Sequence, residues 1–153
     1  MILIIRIIIM NIVSAQLGFG TEVENKISLN IYVAGCLNNK QCNIKKCHNP
    51  KLRSFNIGIP YKEFLSNIDE ILKKEDLLDC VVILGGEPLD QNFKDLKDLI
   101  LHIKFISKLP IYIYTGYRFE DKRNTIKKLF NIGVMGFCIG EFQKKNKKNW
   151  VLL

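Results

Sequence analysis

The sequence predicts an α/β fold: a partial, open β/α barrel on a mostly parallel sheet. Three observations predict it. Apolar segments between Ile27 and Ile139 alternate as β-α-β-α-β-α-β. Strands separated by helices become parallel neighbours through right-handed crossovers, because a parallel pair needs a long connection. Val81 to Leu84 is an uninterrupted apolar run closed by a glycine pair, as expected of a strand buried on both faces of a parallel sheet. The chain has 153 residues, whereas a full eight-unit barrel takes about 250, so the sheet is left open.

The elements follow in order. Met1 to Val13 is strongly apolar and rich in isoleucine, which favours a buried or hairpin strand. Ser14-Ala15-Gln16 offers an alternative, the cleavage site of an export signal. Arg6 interrupts that run, which is also shorter than the ~20 residues that cross a hydrocarbon core, so the strand is preferred. Ile27 to Val33 alternates apolar and polar residues and reads as a strand ending at Gly35-Cys36. A loop runs from there to about Ile59. Pro60 suits a helix N-terminus, and Phe64, Leu65, Ile68, Ile71 and Leu72 recur at helical spacing, giving a helix over 60–74. After the strand Val81 to Leu84, Phe93, Leu96, Leu99, Ile100, Ile103 and Ile106 mark a second helix. Ile111 to Tyr114 is a strand, Phe119 to Phe130 a third helix with Gly133 as its cap, and Val134 to Ile139 the last strand. One domain covers 1–153, with 1–26 as an N-terminal strand or hairpin region and 143–153 as a flexible basic tail.

Composition narrows the function. The chain is 48% hydrophobic and 25% charged, an ordinary globular balance. Its net charge of +8 invites nucleic acid. However, the lysines are scattered, apart from Lys144, Lys145, Lys147 and Lys148, and no helix-turn-helix, RNA-recognition or zinc-finger pattern is present. No nucleic-acid or membrane partner is expected; a basic surface equally suits an anionic cofactor, a nucleotide or an acidic protein. Five cysteines, an odd number with a tight cluster, fit a reducing compartment better than a disulfide framework, so the cytoplasm is expected.

Cys36, Cys42 and Cys47 crowd one loop. Thiolates gathered so closely suit a soft metal or an iron–sulfur cluster. Three of them around a four-iron cubane leave one iron open to chelation by a substrate or cofactor. A zinc site using His48 as a fourth ligand is the rival, but adjacent Cys47 and His48 reach two tetrahedral corners with difficulty. Cys36, Gly85-Gly86-Glu87, Thr115-Gly116 and Gly140-Glu141 each follow a predicted strand, which places them on the ligand-binding edge of a parallel sheet. Glycines at 85 and 86 would let backbone approach a ligand closely, although a plain strand-to-helix turn uses them too. Cys80 and Cys138 lie in strands and read as small hydrophobes, and His102 reads as structural. Asn49 and Arg53 are contacts for a cofactor or partner, or simply an Asn-Pro turn and a surface arginine.

Gly35-Cys36, Cys42, Cys47-His48-Asn49-Pro50, Gly85-Gly86-Glu87-Pro88-Leu89 and Tyr114-Thr115-Gly116-Tyr117 together resemble the radical S-adenosylmethionine superfamily. Within it, the likeness is to the small activating proteins of anaerobic ribonucleoside-triphosphate reductase, and it spans the chain from the first strand to Gly140-Glu141-Phe142. The resemblance implies a partial barrel of the radical S-adenosylmethionine type and a [4Fe-4S] cluster on Cys36, Cys42 and Cys47. It implies S-adenosylmethionine bound through Gly85, Gly86, Glu87 and Pro88, with Thr115 and Gly116 as neighbours. It also implies reductive cleavage to a 5′-deoxyadenosyl radical that abstracts hydrogen from a glycine of the partner reductase, and a reduced flavodoxin- or ferredoxin-type electron donor. The chain departs from the family in spacing its cysteines C-x5-C-x4-C, not C-x3-C-x2-C, and in carrying Lys46 where many members have an aromatic. The longer intervals add only about half a kcal/mol or less of closure cost. Alternatives are an activase of another glycyl-radical enzyme such as a formate-lyase type, a small-molecule radical enzyme, a ferredoxin-like carrier and a zinc-bound module.

Overall fold

In the computed structural model, described over residues 9–37, 50–140 and 150–152, a seven-stranded sheet carries helices on one of its two faces. The strands are β1 (Asn11–Phe19), β2 (Ile27–Val33), β3 (Ile59–Pro60), β4 (Cys80–Gly85), β5 (Ile111–Tyr114), β6 (Val134–Cys138) and β7 (Trp150–Leu152). The helices are α1 (Tyr61–Lys74), α2 (Phe93–Ile106) and α3 (Arg123–Asn131). The sheet order is β3-β1-β2-β4-β5-β6-β7. β2, β4, β5 and β6 are parallel neighbours joined through the three helices, while at the flanks β1 pairs antiparallel with β2, β3 antiparallel with β1, and β7 antiparallel with β6. The predicted β-α-β alternation therefore forms the centre of a mixed sheet.

Strand order rises in one direction from β2 to β6, and right-handed crossovers that all step the same way put every helix on the same face. Successive residues of a strand point to opposite faces. Leu29, Ile31, Val33, Val81, Ile83, Ile111, Ile113 and Phe137 pack against Ile68, Leu96, Leu99, Ile100, Ile103, Ile126 and Leu129 of the helices. On the other face Cys80, Val82 and Leu84 pack with Val23, Tyr32, Tyr112, Tyr114 and Trp150, with no helix residue among them. β4 is apolar throughout because both of its faces are buried.

Several elements differ from the sequence reading. Residues 1–8 lie outside the described residues, and the first strand runs over Asn11–Phe19, past Val13, where the ladder bulges. Ser14-Ala15-Gln16 is mid-strand, opposite Tyr32, Ile31 and Asn30, so pairing with β2 sets the strand's extent. The third helix begins at Arg123, not Phe119. The Asp121 carboxylate accepts from the backbone N–H and guanidinium of Arg118, and this local turn holds Glu120–Lys122 as a 3-10 helix. Trp150–Leu152, assigned by the sequence to the tail, pair with β6; 141–149 lie outside the described residues. Gly133, at φ +103°, ends α3 as predicted, its N–H donating to Phe130 O at 3.0 Å. His102 joins α2 to α1 through Asp69, Nε2 to Oδ1 at 2.6 Å.

Phe137 is fully buried and stands edge-on to Phe130, with ring centroids 5.1 Å apart. Phe137→Ala is expected to cost about 3–5 kcal/mol of unfolding free energy. Phe105→Ala, at a side chain 87% exposed on α2, is expected to change it by less than about 0.5 kcal/mol. Urea unfolding followed by circular dichroism measures both.

Candidate functional site

The C-terminal ends of β2, β4, β5 and β6 lie side by side, so the loops after them meet at one edge of the sheet. Gly35-Cys36, Gly85-Gly86-Glu87-Pro88, Thr115-Gly116 and Gly140 all stand on this rim. Cys42, Cys47, His48, Asn49 and Glu141, also singled out from the sequence, lie outside the described residues.

The first two loops are bound backbone to backbone. Gly86 N–H donates to Val33 O and Glu87 N–H to Gly35 O, both at 2.8 Å, extending the β2–β4 ladder beyond the strands. Gly85 has φ +118°, and a Cβ on Gly86 would stand 2.4 Å from Gly35 O and 2.8 Å from Leu52 O. The space that a side chain would need is filled by the neighbouring loop. These glycines are thus required by protein–protein approach within the rim, whatever ligand lies beyond it.

Glu87 ties that turn to the loop after β5. Its side chain is buried, with 4% of its surface exposed. Oε1 accepts from Thr115 Oγ1 at 2.9 Å and from Gly116 N–H at 2.6 Å, while Oε2 accepts from Leu89 N–H at 2.9 Å and caps the 3-10 turn Pro88–Asp90. Thr115 Oγ1 in turn accepts from Tyr117 N–H at 3.1 Å. Burial pushes the Glu87 carboxyl up to about 7; the Leu89, Gly116 and Thr115 donors pull it back and the nearby Asp90 charge adds to the rise.

Two residues next in the chain were not singled out from the sequence. Asp90 Oδ2 accepts from Leu37 N–H at 2.8 Å and Oδ1 from Tyr117 OH at 2.6 Å. Gln91 Nε2 lies 3.0 Å from Ala34 O, 3.3 Å from Gly35 O and 3.1 Å from Glu87 O, donating among them. Burial, followed by the bond to Asp90, raises the Tyr117 hydroxyl well above its usual range and keeps it a donor. Cys36 is half-buried at the head of its loop; its N–H donates to Arg53 O at 3.0 Å, and Gly35 N–H donates to Leu52 O at 2.8 Å. The 3-10 turn Pro50–Arg53 therefore seats the far end of the loop against its beginning.

The sulfur donors divide into two groups. Cys80 and Cys138 are buried in strands, and burial pushes the Cys80 thiol up to about 11, far from the thiolate a metal needs. Cys36 opens onto the rim and heads the loop that carries Cys42 and Cys47, a donor set whose chemistry suits sulfur-seeking iron. Among the described residues, no three His, Cys, Asp or Glu side chains gather as a metal site.

With Glu87 at about 7 in the folded chain against an ordinary 4.5, the fold holds a proton that the unfolded chain releases. Its contribution to stability therefore falls as pH rises through that window, by something on the order of 3 kcal/mol, and then levels off. Glu87→Gln should remove this part of the slope when urea midpoints at about pH 5 and about pH 8 are compared; an unchanged slope would contradict the assignment. Gly86→Ala should lower stability by at least about 2 kcal/mol, because backbone atoms cannot step aside for the added methyl.

The profile of the 4Fe-4S single cluster domain family matches residues 18–152. No curated protein and no solved structure matches the chain. The matched span begins in β1 and ends in β7, and so contains the Cys36–Cys47 loop and every rim loop described above. With a family match over most of its length, the chain belongs to the 4Fe-4S single cluster domain family.

Proposed function

We propose that the chain is a radical S-adenosylmethionine activating enzyme that installs a glycyl radical on an anaerobic ribonucleoside-triphosphate reductase. One observation carries this: the segments Gly35-Cys36, Gly85-Gly86-Glu87-Pro88 and Thr115-Gly116, far apart in the chain, meet on one rim and are locked there through Glu87. Strand order supports it as well. Four parallel strands rising in one direction, with helices on one face only, suit a segment of a β/α barrel, whereas a doubly wound sheet carries helices on both faces. The helix-free face, which would be the inside of the partial barrel, carries Ser28, Asn30, Tyr32, Tyr112 and Tyr114.

Cys36, Cys42 and Cys47 would hold the [4Fe-4S] cluster. When bound, it supplies a single low-potential electron and, with three protein thiolates, an iron open to a chelating ligand. Gly85, Gly86, Glu87 and Pro88 would seat the amino end of S-adenosylmethionine, with Thr115 and Gly116 beside it. Glu87 acts by fixing the turn with its three accepted bonds. A reduced flavodoxin- or ferredoxin-type protein would be the electron donor, in the cytoplasm, with no nucleic acid or membrane involved. Among the described residues, no helix is long and apolar enough to cross a membrane.

Anaerobic reconstitution with iron and sulfide, followed by reduction with S-adenosylmethionine present, should yield methionine and 5′-deoxyadenosine. Adding the reductase should produce a glycyl-radical signal in electron paramagnetic resonance. Cys42→Ala should abolish cleavage and Cys138→Ala should leave most of it. A cluster that forms without cleaving the sulfonium would mark an electron carrier instead, and equal losses in both variants would contradict the ligand assignment.

A further inference from the structure

We propose that Asp90 and Gln91 are positioning residues for the first cluster ligand, gripping the backbone on both sides of Cys36. This rests on the iron–sulfur family and not on the activase role. Gln91, 7% exposed, directs Nε2 at the carbonyl oxygens of Ala34 and Gly35, the two residues before Cys36. Asp90 accepts the N–H of Leu37, the residue after it. Both grips come from one short turn, whose own place is set by Glu87 and by the bond of Gln91 Nε2 to Glu87 O.

Asp90 is itself held from a third direction. Its other oxygen takes the hydroxyl of Tyr117, whose N–H is bonded to Thr115 Oγ1 and whose ring lies 4.6 Å from Lys122 Nζ. The stem of the cysteine loop is thereby referenced to the loops after both β4 and β5. Residues that orient a metal ligand without touching the metal govern how well it is retained, typically by ~10–100-fold in affinity. A loop whose first thiolate is anchored at the backbone should release iron slowly even when its other intervals are long. The Gln91 amide nitrogen is shared between this stem and its own turn, with Ala34 O, Gly35 O and Glu87 O all in reach of Nε2, while its buried Oε1 has no partner among the described residues.

The test uses the full chain, anaerobically reconstituted, with iron release to a ferrous chelator as the readout and the electron paramagnetic resonance line shape of the reduced protein as a second. Asp90→Ala and Gln91→Met should release iron at least ~10-fold faster than the parent and alter the line shape. Asp90→Asn, which keeps an acceptor for Leu37 N–H, should lie closer to the parent. Asp98→Ala is the control, because Asp98 on α2 accepts from Tyr61 OH of α1 at 3.1 Å, a bond between two helices and not to the cysteine-loop stem; it should release iron at the parental rate. Parental rates in Asp90→Ala and Gln91→Met would overturn the proposal, as would equal acceleration in Asp98→Ala, which would mean general loosening. Should Asp90→Ala not fold, Gln91→Met compared with the parent at matched unfolding midpoints decides in the same way: faster release supports the grip, and unchanged release overturns it.

Discussion

The buried carboxylate of Glu87 is the constraint on which the rim depends. An acidic group enclosed among loops costs several kcal/mol unless its oxygens are met by donors. Here those donors come from two different loops: Leu89 in its own turn, and Thr115 and Gly116 after β5. Satisfying the carboxylate and closing the rim are therefore the same event. The turn that follows repeats the device with Asp90 and Gln91, whose bonds run to the loop after β2 and to Tyr117. Besides the apolar anchors Leu89 and Tyr117, which are buried in the core, the loops are held in register by polar side chains reaching backbone atoms, each such bond contributing about 1 kcal/mol net.

The two faces of the sheet have separate roles. One face, covered by α1, α2 and α3, supplies the apolar core and most of the burial that stabilises the fold. The other bears hydroxyl, amide and aromatic groups and is crossed by the β1–β2 connection, where Val23 packs on Cys80, Val82 and Leu84, and Tyr114 OH donates to Glu22 O. Trp150 of β7 stands edge-on to Tyr112 and Tyr114, with centroids at 5.4 and 5.7 Å. Most of the apolar burial lies beneath the helices, and the rim loops are tied to one another largely by polar contacts.

The parallel centre was legible because its signals are periodic or continuous: the alternation of β2, the unbroken apolar run of β4, and the helical spacing of Leu96, Leu99, Ile100 and Ile103. From there the rim followed, since strand ends in a parallel array share an edge. What escaped had no period to show. β3 is two residues and β7 three, and each exists through the strand it pairs with. The extent of β1 was hidden because Ser14, Gln16 and Gly18 are polar or small residues aligned with Tyr32, Asn30 and Ser28 on the helix-free face, where apolarity is not demanded. Asp90 and Gln91 were passed over for a related reason. Their partners, Leu37, Ala34 and Gly35, are more than fifty residues away in sequence, and a side-chain bond to a distant backbone atom leaves no local pattern.

The central claim is that this rim presents an iron–sulfur cluster on three protein thiolates. Mössbauer spectroscopy of protein reconstituted anaerobically with isotopically enriched iron and sulfide tests it most directly. A three-cysteine set predicts one iron distinct from the other three, its parameters shifting when S-adenosylmethionine is added. Four equivalent irons unaffected by that addition, or protein that takes up no iron at all, would contradict it.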